Sequence, residues 1–478
     1  MTGGAYPQLE PEWVDELLLA GADDRACLHL GEPITRAGLR QLVSDRQRVL
    51  ADAGLRRGGS VALCLPPSLP FIANLLASWR IGAQASLLDH RLTPYEVDGA
   101  LKRLLPQVVI AAERSTAAPL RGFAEVTESV RTYPGVPAAT SHAVIQLSSG
   151  STGPSKIIAR DAGNLAEEVQ RYTQIDGVPR AGERIVCLAS MVHVLGLVGG
   201  LLYGLHARVN LAIPARMTAD GILTAVGADA TPTTLLGVPF HIELLAAVPD
   251  PPKLPQLTGM TTGGELVRGD VYTAFTDRYG VRLGNMYGMT EVGVIATDLF
   301  GEHRPAVRPA PGLSVREEAG ELLVSLPESP YLGGQDPARW SDGWLHTKDA
   351  GRVDPGTGLV TILGRLDSQV SVGGLKVDLT EVEQTLATLP GVAGAVVVHD
   401  SAIEAYLMLD QTAELPAIES QIATRLAAYK RPRLLHVVGQ LPRTATGKLV
   451  RDRVVLRDAA PAAPAASAAP GGDSDRPG

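Results

Sequence analysis

Short apolar runs alternate with stretches whose apolar positions recur every three to four residues through the first two thirds of the chain. Val61-Ala62-Leu63-Cys64-Leu65 reads as a strand and residues 70–79 as a helix. Residues 83–88 and 108–112 read as further strands, with a helix over 94–105 between them. Such alternation predicts parallel sheets covered by helices. Residues 320–325 and 359–363 read as short strands joined by Gly-, Pro- and Asp-rich turns. After Gly364 the texture changes. A polar link leads to a helix beginning near Leu379, then strands at 393–398 and 402–409, a helix near 418–428 and a strand near 434–438. That is a compact α+β unit the size of a small domain. Residues 459–478 are Ala, Pro, Gly and Ser with almost no large apolar side chains, which predicts a disordered tail.

A chain of 478 residues exceeds what one hydrophobic core usually serves, so more than one domain is expected. Its 45% hydrophobic and 20% charged residues suit a globular enzyme. A formal net charge of −8 argues against a nucleic-acid surface, and no nucleic-acid partner is expected. Cys27, Cys64 and Cys187 are widely spaced and form no CxxC, so neither a disulfide framework nor a zinc site is predicted. A reducing, cytoplasmic location fits. The first twenty residues carry Glu10, Glu12, Asp15 and Glu16 and no basic segment, unlike a secretory signal. Residues 185–207 lack Lys, Arg, Asp and Glu and are long enough to span a bilayer. They also hold Ser190, His193, His206 and four glycines, and read instead as a buried strand, a loop and a buried helix from about Leu195. No stable membrane insertion is expected.

The candidate chemistry starts at Leu147-Ser148-Ser149-Gly150-Ser151-Thr152-Gly153-Pro154-Ser155-Lys156, directly after an apolar run. Glycines let backbone N–H groups crowd a polyanion, hydroxyls add donors, and Lys156 supplies a full charge. Ile157 follows the lysine, so the spacing is not that of the common nucleoside-triphosphatase loop. Asn285-Met286-Tyr287-Gly288-Met289-Thr290-Glu291 follows an apparent strand at 281–283. There a ring can cover a base, Thr290 can donate to a phosphate, and Glu291 is the hard oxygen ligand Mg²⁺ prefers beside phosphate oxygens. Asp349, in Trp344-Leu345-His346-Thr347-Lys348-Asp349, offers an acceptor for two ribose hydroxyls. Gly364-Arg365-Leu366-Asp367 lies where the texture changes, as a hinge would. Lys448 sits on a Thr/Gly-rich loop near the end of the ordered chain.

Together and in this order these segments resemble the adenylate-forming superfamily of acyl- and aryl-CoA ligases, adenylation domains and luciferases, from about Leu55 to Val455. Arg57-Gly58-Gly59-Ser60 and Leu92-Thr93-Pro94-Tyr95-Glu96 are similar to its early landmarks, and Thr262-Gly263-Gly264-Glu265 to its adenine-side strand end. The resemblance implies an α/β fold: a large N-terminal domain (1–366) of helix-flanked, mostly parallel sheets plus a small β-barrel-like subdomain, then a smaller mobile α+β domain (367–458). It implies that a carboxylic acid and MgATP give acyl-AMP and pyrophosphate, after which a thiol of CoA, or of a carrier-protein phosphopantetheine, takes the acyl group. The catalytic residues implied are Lys448, Thr290, Glu291 (also the metal ligand) and Lys156. Those implied for the nucleotide are Ser148, Ser149, Gly150, Ser151, Thr152, Gly153, Gly264, Glu265, Asn285, Met286, Tyr287, Gly288, Asp349 and Arg365. Asp367 is the implied hinge, and Gly373 and Gly374 flank the implied thiol tunnel.

Two positions depart from the family pattern: Lys348 stands where Gly is common, and Ser371 where a lysine often follows the apolar residue. For the acid, the resemblance implies a pocket formed by His193, Gly196, Gly288, Met289 and Val294. Amino-acid-activating relatives usually place an aspartate near His193, so an aryl or short- to medium-chain acyl acid is expected rather than an ordinary α-amino acid. A carrier-protein partner would need a docking patch such as the basic run Lys430-Arg431-Pro432-Arg433. The alternatives are an amino-acid-adenylating enzyme, an ATP-dependent phosphotransferase making ADP, and a silent nucleotide-binding module. Oligomeric state is left open.

Overall fold

The computed structural model describes residues 10–115, 122–148, 156–264, 266–267, 269–333, 336–366, 368–410, 413–442 and 449–459. The sequence expectations at Ser149, Gly150, Ser151, Thr152, Gly153, Glu265, Asp367 and Lys448, and in the tail from 460, lie outside the described residues. The described chain falls into two compact units. One runs to Glu381 and counts Thr424–Tyr429 with it; the other is the remainder from Val382.

The first unit holds two large sheets. In one, Ser60–Cys64 lies between parallel Gln84–Leu87 and Val108–Ser115, with Val144–Ser148 parallel beyond Gln84–Leu87. Val61, Ala62 and Leu63 are fully buried, as the unbroken apolar run of a strand covered on both faces requires. Antiparallel strands close this sheet: Val126–Thr132 at one edge, and Lys156–Arg160 followed by Tyr331–Leu332 at the other. Helix Leu69–Ile81 starts at Ser68, whose hydroxyl accepts from Phe71 N at 3.1 Å. Helix Pro94–Leu104 starts at a capping box in which Thr93 and Glu96 bond each other's backbone N–H.

The second sheet has nine strands. Ala26–Leu30, Asn210–Ala212, Arg184–Cys187, Thr233–Gly237, Leu257–Gly263 and Arg282–Met289 are parallel neighbours in that order. Glu32–Thr35 closes one edge and Gly293–Asp298, then Arg308–Pro309, the other, all antiparallel. The charge-free stretch becomes strand Arg184–Cys187, a turn, a buried π-helix Leu195–Leu202 and helix Tyr203–Ala207. Among the described residues no helix is long and apolar enough to cross a membrane.

The small subdomain is a five-stranded antiparallel sheet in which Glu321–Ser325 and Val360–Arg365 flank the long strand Trp344–Val353. Leu322, Val324, Leu345 and Val360 form its core together with Ile295. In the second unit, Val392–His399 and Ile403–Leu409 pair antiparallel and Leu434–Val437 joins in parallel. This is the α+β pattern read from the sequence. The six-residue helix Arg453–Asp458 is too short to persist alone. Arg453 and Arg457 tie it to the buried carboxylate of Glu404 at 2.8 and 3.0 Å, and Leu456 is buried in the unit's core.

Candidate active site

Strands Val144–Ser148 and Lys156–Arg160 are adjacent and antiparallel, with Ser148 opposite Lys156. The two ends of the Ser/Gly-rich segment, Ser148 and Lys156, are therefore held side by side. The Lys156 ammonium lies 5.4 Å from the centre of the Tyr331 ring. Tyr331 in turn donates its hydroxyl to Glu291 Oε1 at 3.0 Å. Tyr331 is within reach because its two-residue strand pairs with Lys156–Arg160, at Ile158.

Glu291 stands in the turn between Arg282–Met289 and Gly293–Asp298, next to Thr290. A register shift between Tyr287 and Gly288 sharpens that hairpin. A Cβ at Gly288 would lie 2.5 Å from Gly293 O, so only glycine fits there. Burial pushes the Glu291 carboxyl up, against hydrogen bonds from its own backbone N–H and from Tyr331 that favour the charged form. The charges of Arg339 and Arg365 also favour the ionised form, and a desolvated carboxylate is well suited to a hard cation. Among the described residues no group of three His, Cys, Asp or Glu could hold a metal. A Mg²⁺ here would rest on Glu291 and on phosphate oxygens, its usual donors.

A second group of contacts gathers around Asp349, the residue expected to meet the ribose. The Tyr287 hydroxyl donates to Asp349 Oδ2 at 2.6 Å, and Arg365 Nη1 donates to Asp349 Oδ1 at 2.9 Å. Asp349 and Arg365 face each other across neighbouring strands. Asp349 is buried, and its backbone N–H is held by Thr347 Oγ1 at 3.0 Å. Burial, and then the charge of Asp349, push the Tyr287 phenol well above its ordinary value, so it remains a donor. Each carboxylate oxygen keeps a lone pair for a further donor, such as a ribose hydroxyl. Asn285 lies on the same strand, opposite Thr262. The Met286 side chain points into the core, with Sδ 3.7 Å from the Tyr172 hydroxyl, and its main chain pairs with Gly263 and Thr297 on either side. Gly264 directly follows the adjacent strand Leu257–Gly263, with φ +97°.

Lys348 explains itself through its backbone. Its φ is +61°, the left-handed region where glycine is unstrained, and Glu321 accepts its backbone N–H at 2.9 Å. Lys348→Gly is expected to stay within about 1 kcal/mol of the parent. Relief of a left-handed Cβ, about 1–2 kcal/mol, is set against the Glu321 ion pair and a freer unfolded chain. Lys348→Val adds a branch at the same φ and should cost about 1–2 kcal/mol more. Urea titrations followed by tryptophan fluorescence separate the two; equal stability would argue against a positive φ in solution.

Among the residues expected to line the acid pocket, His193 Nε2 is 3.6 Å from Asp89 Oδ2, and its side chain is part-exposed. Arg91 binds Asp89 at two points, 2.8 and 2.6 Å. Burial alone would raise the Asp89 carboxyl, but the neighbouring His193 imidazole, the two hydrogen bonds from Arg91 and the Arg91 charge hold it well below the usual carboxylate range. Gly196 is packed against the Ala189 and Ser190 carbonyls, Gly288 pairs with Val294 across the hairpin, and Met289 pairs with Gly293. Gly373 and Gly374, with φ +57° and +80°, form the two-residue turn of hairpin Gln369–Val372 and Leu375–Asp378. Two positive φ values in sequence are what such a tight turn needs. Lys376, just after it, donates to Gly264 O at 3.0 Å.

The structure thus groups Lys156 with Glu291 through Tyr331, and Tyr287 with Asp349 and Arg365, the two groups being four residues apart along the chain at Tyr287 and Glu291. Tyr331, Asp89, Arg160 and Glu168 were missed in the sequence; only Asp89, directly after the 83–88 run, stood where a strand-end residue could have been noticed. Residues 19–322 match the family model described as AMP-binding enzyme, and 381–448 the AMP-binding enzyme C-terminal domain. The chain is 26% identical over 460 residues to a 2-succinylbenzoate–CoA ligase of Enterococcus faecalis, covering 87% of this chain and 91% of that protein. It is 27% identical over 489 residues to a p-hydroxybenzoic acid–AMP ligase of Mycobacterium tuberculosis, covering 93% of this chain and 68% of that protein. Its fold superposes on an o-succinylbenzoate CoA synthetase double mutant from Bacillus subtilis with TM-score 0.78, 22% identity, and coverage of 94% and 98%.

Proposed function

Since the chain belongs to the AMP-binding enzyme family, we propose that it activates an aryl or short- to medium-chain acyl carboxylic acid with ATP and passes the acyl group to the thiol of CoA. It is an AMP-forming acid–thiol ligase. In the first step a carboxylate oxygen bonds the α-phosphorus of ATP and pyrophosphate leaves. In the second, the thiol displaces AMP from the acyl carbon and releases a proton. The observation that carries the reading is a pair of contact groups, Lys156–Tyr331–Glu291 and Tyr287–Asp349–Arg365, joined by the short stretch of main chain from Tyr287 to Glu291. It supplies, in order, a cation for phosphates, a metal-side carboxylate, an aromatic ring and a ribose acceptor. When bound, Mg²⁺ would neutralise phosphate charge. Tyr331 orients Glu291 toward it, Asp349 orients the ribose, and Arg365 with Tyr287 holds Asp349.

An aryl acid is favoured by the names of relatives that act on succinylbenzoate and p-hydroxybenzoate. An α-ammonium is disfavoured because the carboxylate beside His193, Asp89, is already closed by Arg91. A carrier-protein thiol is the second acceptor to test. The cytoplasm, where ATP and reduced thiols coexist, is the proposed compartment. The test is AMP and pyrophosphate release against benzoate, 4-hydroxybenzoate, o-succinylbenzoate, ferulate, hexanoate, malonate and amino acids, each with and without CoA. Release of ADP, or preference for amino acids, would overturn the proposal.

Gly374 offers a separate check on the thiol step. Its φ of +80° and the Val238 side-chain atoms 2.7 Å from where a Cβ would lie leave no room for a side chain. Gly374→Val is expected to reduce thioester formation by about tenfold or more while pyrophosphate exchange is largely kept. Equal loss in both assays would count against a tunnel at this turn.

A further inference from the structure

Glu168 lies on helix Ala162–Thr173 and is completely buried. Its Oε2 accepts from Arg160 Nη2 at 2.6 Å, and the Arg160 side chain is only 2% exposed. An ion pair so withdrawn from water is seldom a net source of stability, so its presence calls for a geometric reason. The other carboxylate oxygen gives one: Oε1 accepts from the backbone N–H of Val294 at 2.9 Å. Val294 follows the turn that carries Thr290 and Glu291, and it pairs with Gly288 across the hairpin. Gly293 has φ +92°, and a Cβ there would lie 2.1 Å from the Glu168 carboxyl carbon, so the carboxylate is packed directly beneath the turn. Arg160 ends the strand that begins at Lys156, and Asn164 Oδ1 accepts from its Nε.

We propose that Glu168 is a positioning residue, a strut that fixes the turn bearing Glu291 relative to the strand leaving the phosphate loop. It touches neither substrate nor metal. It sets where the Glu291 carboxylate stands when MgATP arrives, an inference that rests on the metal-side role proposed above for Glu291. The buried charge pair is the means: Arg160 aims one carboxylate oxygen, which leaves the other free to hold Val294.

Two double variants isolate the strut, because both remove the buried charges together. Arg160→Met with Glu168→Gln keeps an amide oxygen for Val294 N–H; Arg160→Met with Glu168→Leu keeps the volume and loses the acceptor. Hydrogen exchange over residues 286–296 is measured in the ligand-free protein, and ATP affinity by calorimetry in Mg²⁺ and in EDTA. The Gln double should match the parent within about twofold. The Leu double should exchange about tenfold faster at Val294 and bind MgATP about tenfold more weakly, with affinity in EDTA unchanged, as loss of one buried hydrogen bond predicts. Two folded doubles that agree in exchange and in Mg²⁺ response would overturn the proposal. If either fails to fold, Asn164→Ala, which frees Arg160 without changing charge, should give a shift of about two- to threefold in the same direction; no shift overturns the strut. A parent protein whose ATP affinity ignores Mg²⁺ would refute the Glu291 assignment, while exchange at Val294 would still decide the strut.

Discussion

Glu291→Gln is expected to lower adenylation by roughly 10²-fold or more and to remove most of its dependence on Mg²⁺ concentration. The amide keeps the shape and loses the anion. Burial raises the Glu291 carboxyl, so its proton is shed later, as pH rises, than that of an ordinary carboxylic acid. A cation competes with that proton. Apparent Mg²⁺ affinity should therefore fall with falling pH while ordinary carboxylates are still charged. Tyr331 donates to the charged form and restrains the rise, so Tyr331→Phe should move the Mg²⁺ profile to higher pH. Pyrophosphate release titrated with Mg²⁺ between about pH 5.5 and 8 tests both points; a Gln variant with the parent's Mg²⁺ response would sink the assignment. The folding linkage runs the same way. A carboxyl raised in the folded state costs stability as pH rises through its unfolded value toward its folded one. Asp89, held low, has the opposite sign: its contribution is full above the unfolded value and is lost as pH falls through the folded one.

Which parts of this arrangement could be read in the sequence follows from the range of the contacts involved. The parallel strands were legible because double-sided burial leaves an unbroken apolar run, as in residues 61–63. The start of helix Pro94–Leu104 was legible because its cap is local, Thr93 to Glu96. The residue types proposed for ribose and metal were singled out as motifs, but the bonds that orient them were not legible. Tyr287 reaches Asp349 across 62 positions, Tyr331 reaches Glu291 across 40, and Glu168 reaches Val294 across 126. No period or spacing carries such pairings. The buried stretch from Leu195 was predicted as a helix, but its π form was hidden, because Gly196, Gly199 and Gly200 are set by close approach to Ser190, Tyr172 and Cys187. Lys348 looked like a departure in chemistry and proved to be a matter of backbone conformation.

Lys448→Ala is expected to lower adenylation by roughly 10²–10³-fold, while transfer from pre-made acyl-AMP to CoA is largely spared. A carboxylate is a weak nucleophile and must approach an α-phosphate that is itself anionic. Two unit charges about 4 Å apart repel by roughly 4 kcal/mol at an effective dielectric near 20. One ammonium at their meeting point removes much of that cost as the bond forms, and leaves the thiol step, which brings no second anion to phosphorus, little affected. The C-terminal family match extends to Lys448 itself. On either side of its loop the chain is pinned: Leu441 is buried in the second unit's core, Leu449 packs against it, and Glu404 holds the helix that follows. Lys448→Arg keeps the charge on a bulkier, planar head and should recover only part of the rate. Near-parental pyrophosphate exchange in the Ala variant, or equal loss of adenylation and thiol transfer, would assign the decisive cation elsewhere, and Lys156 would be the first residue to substitute.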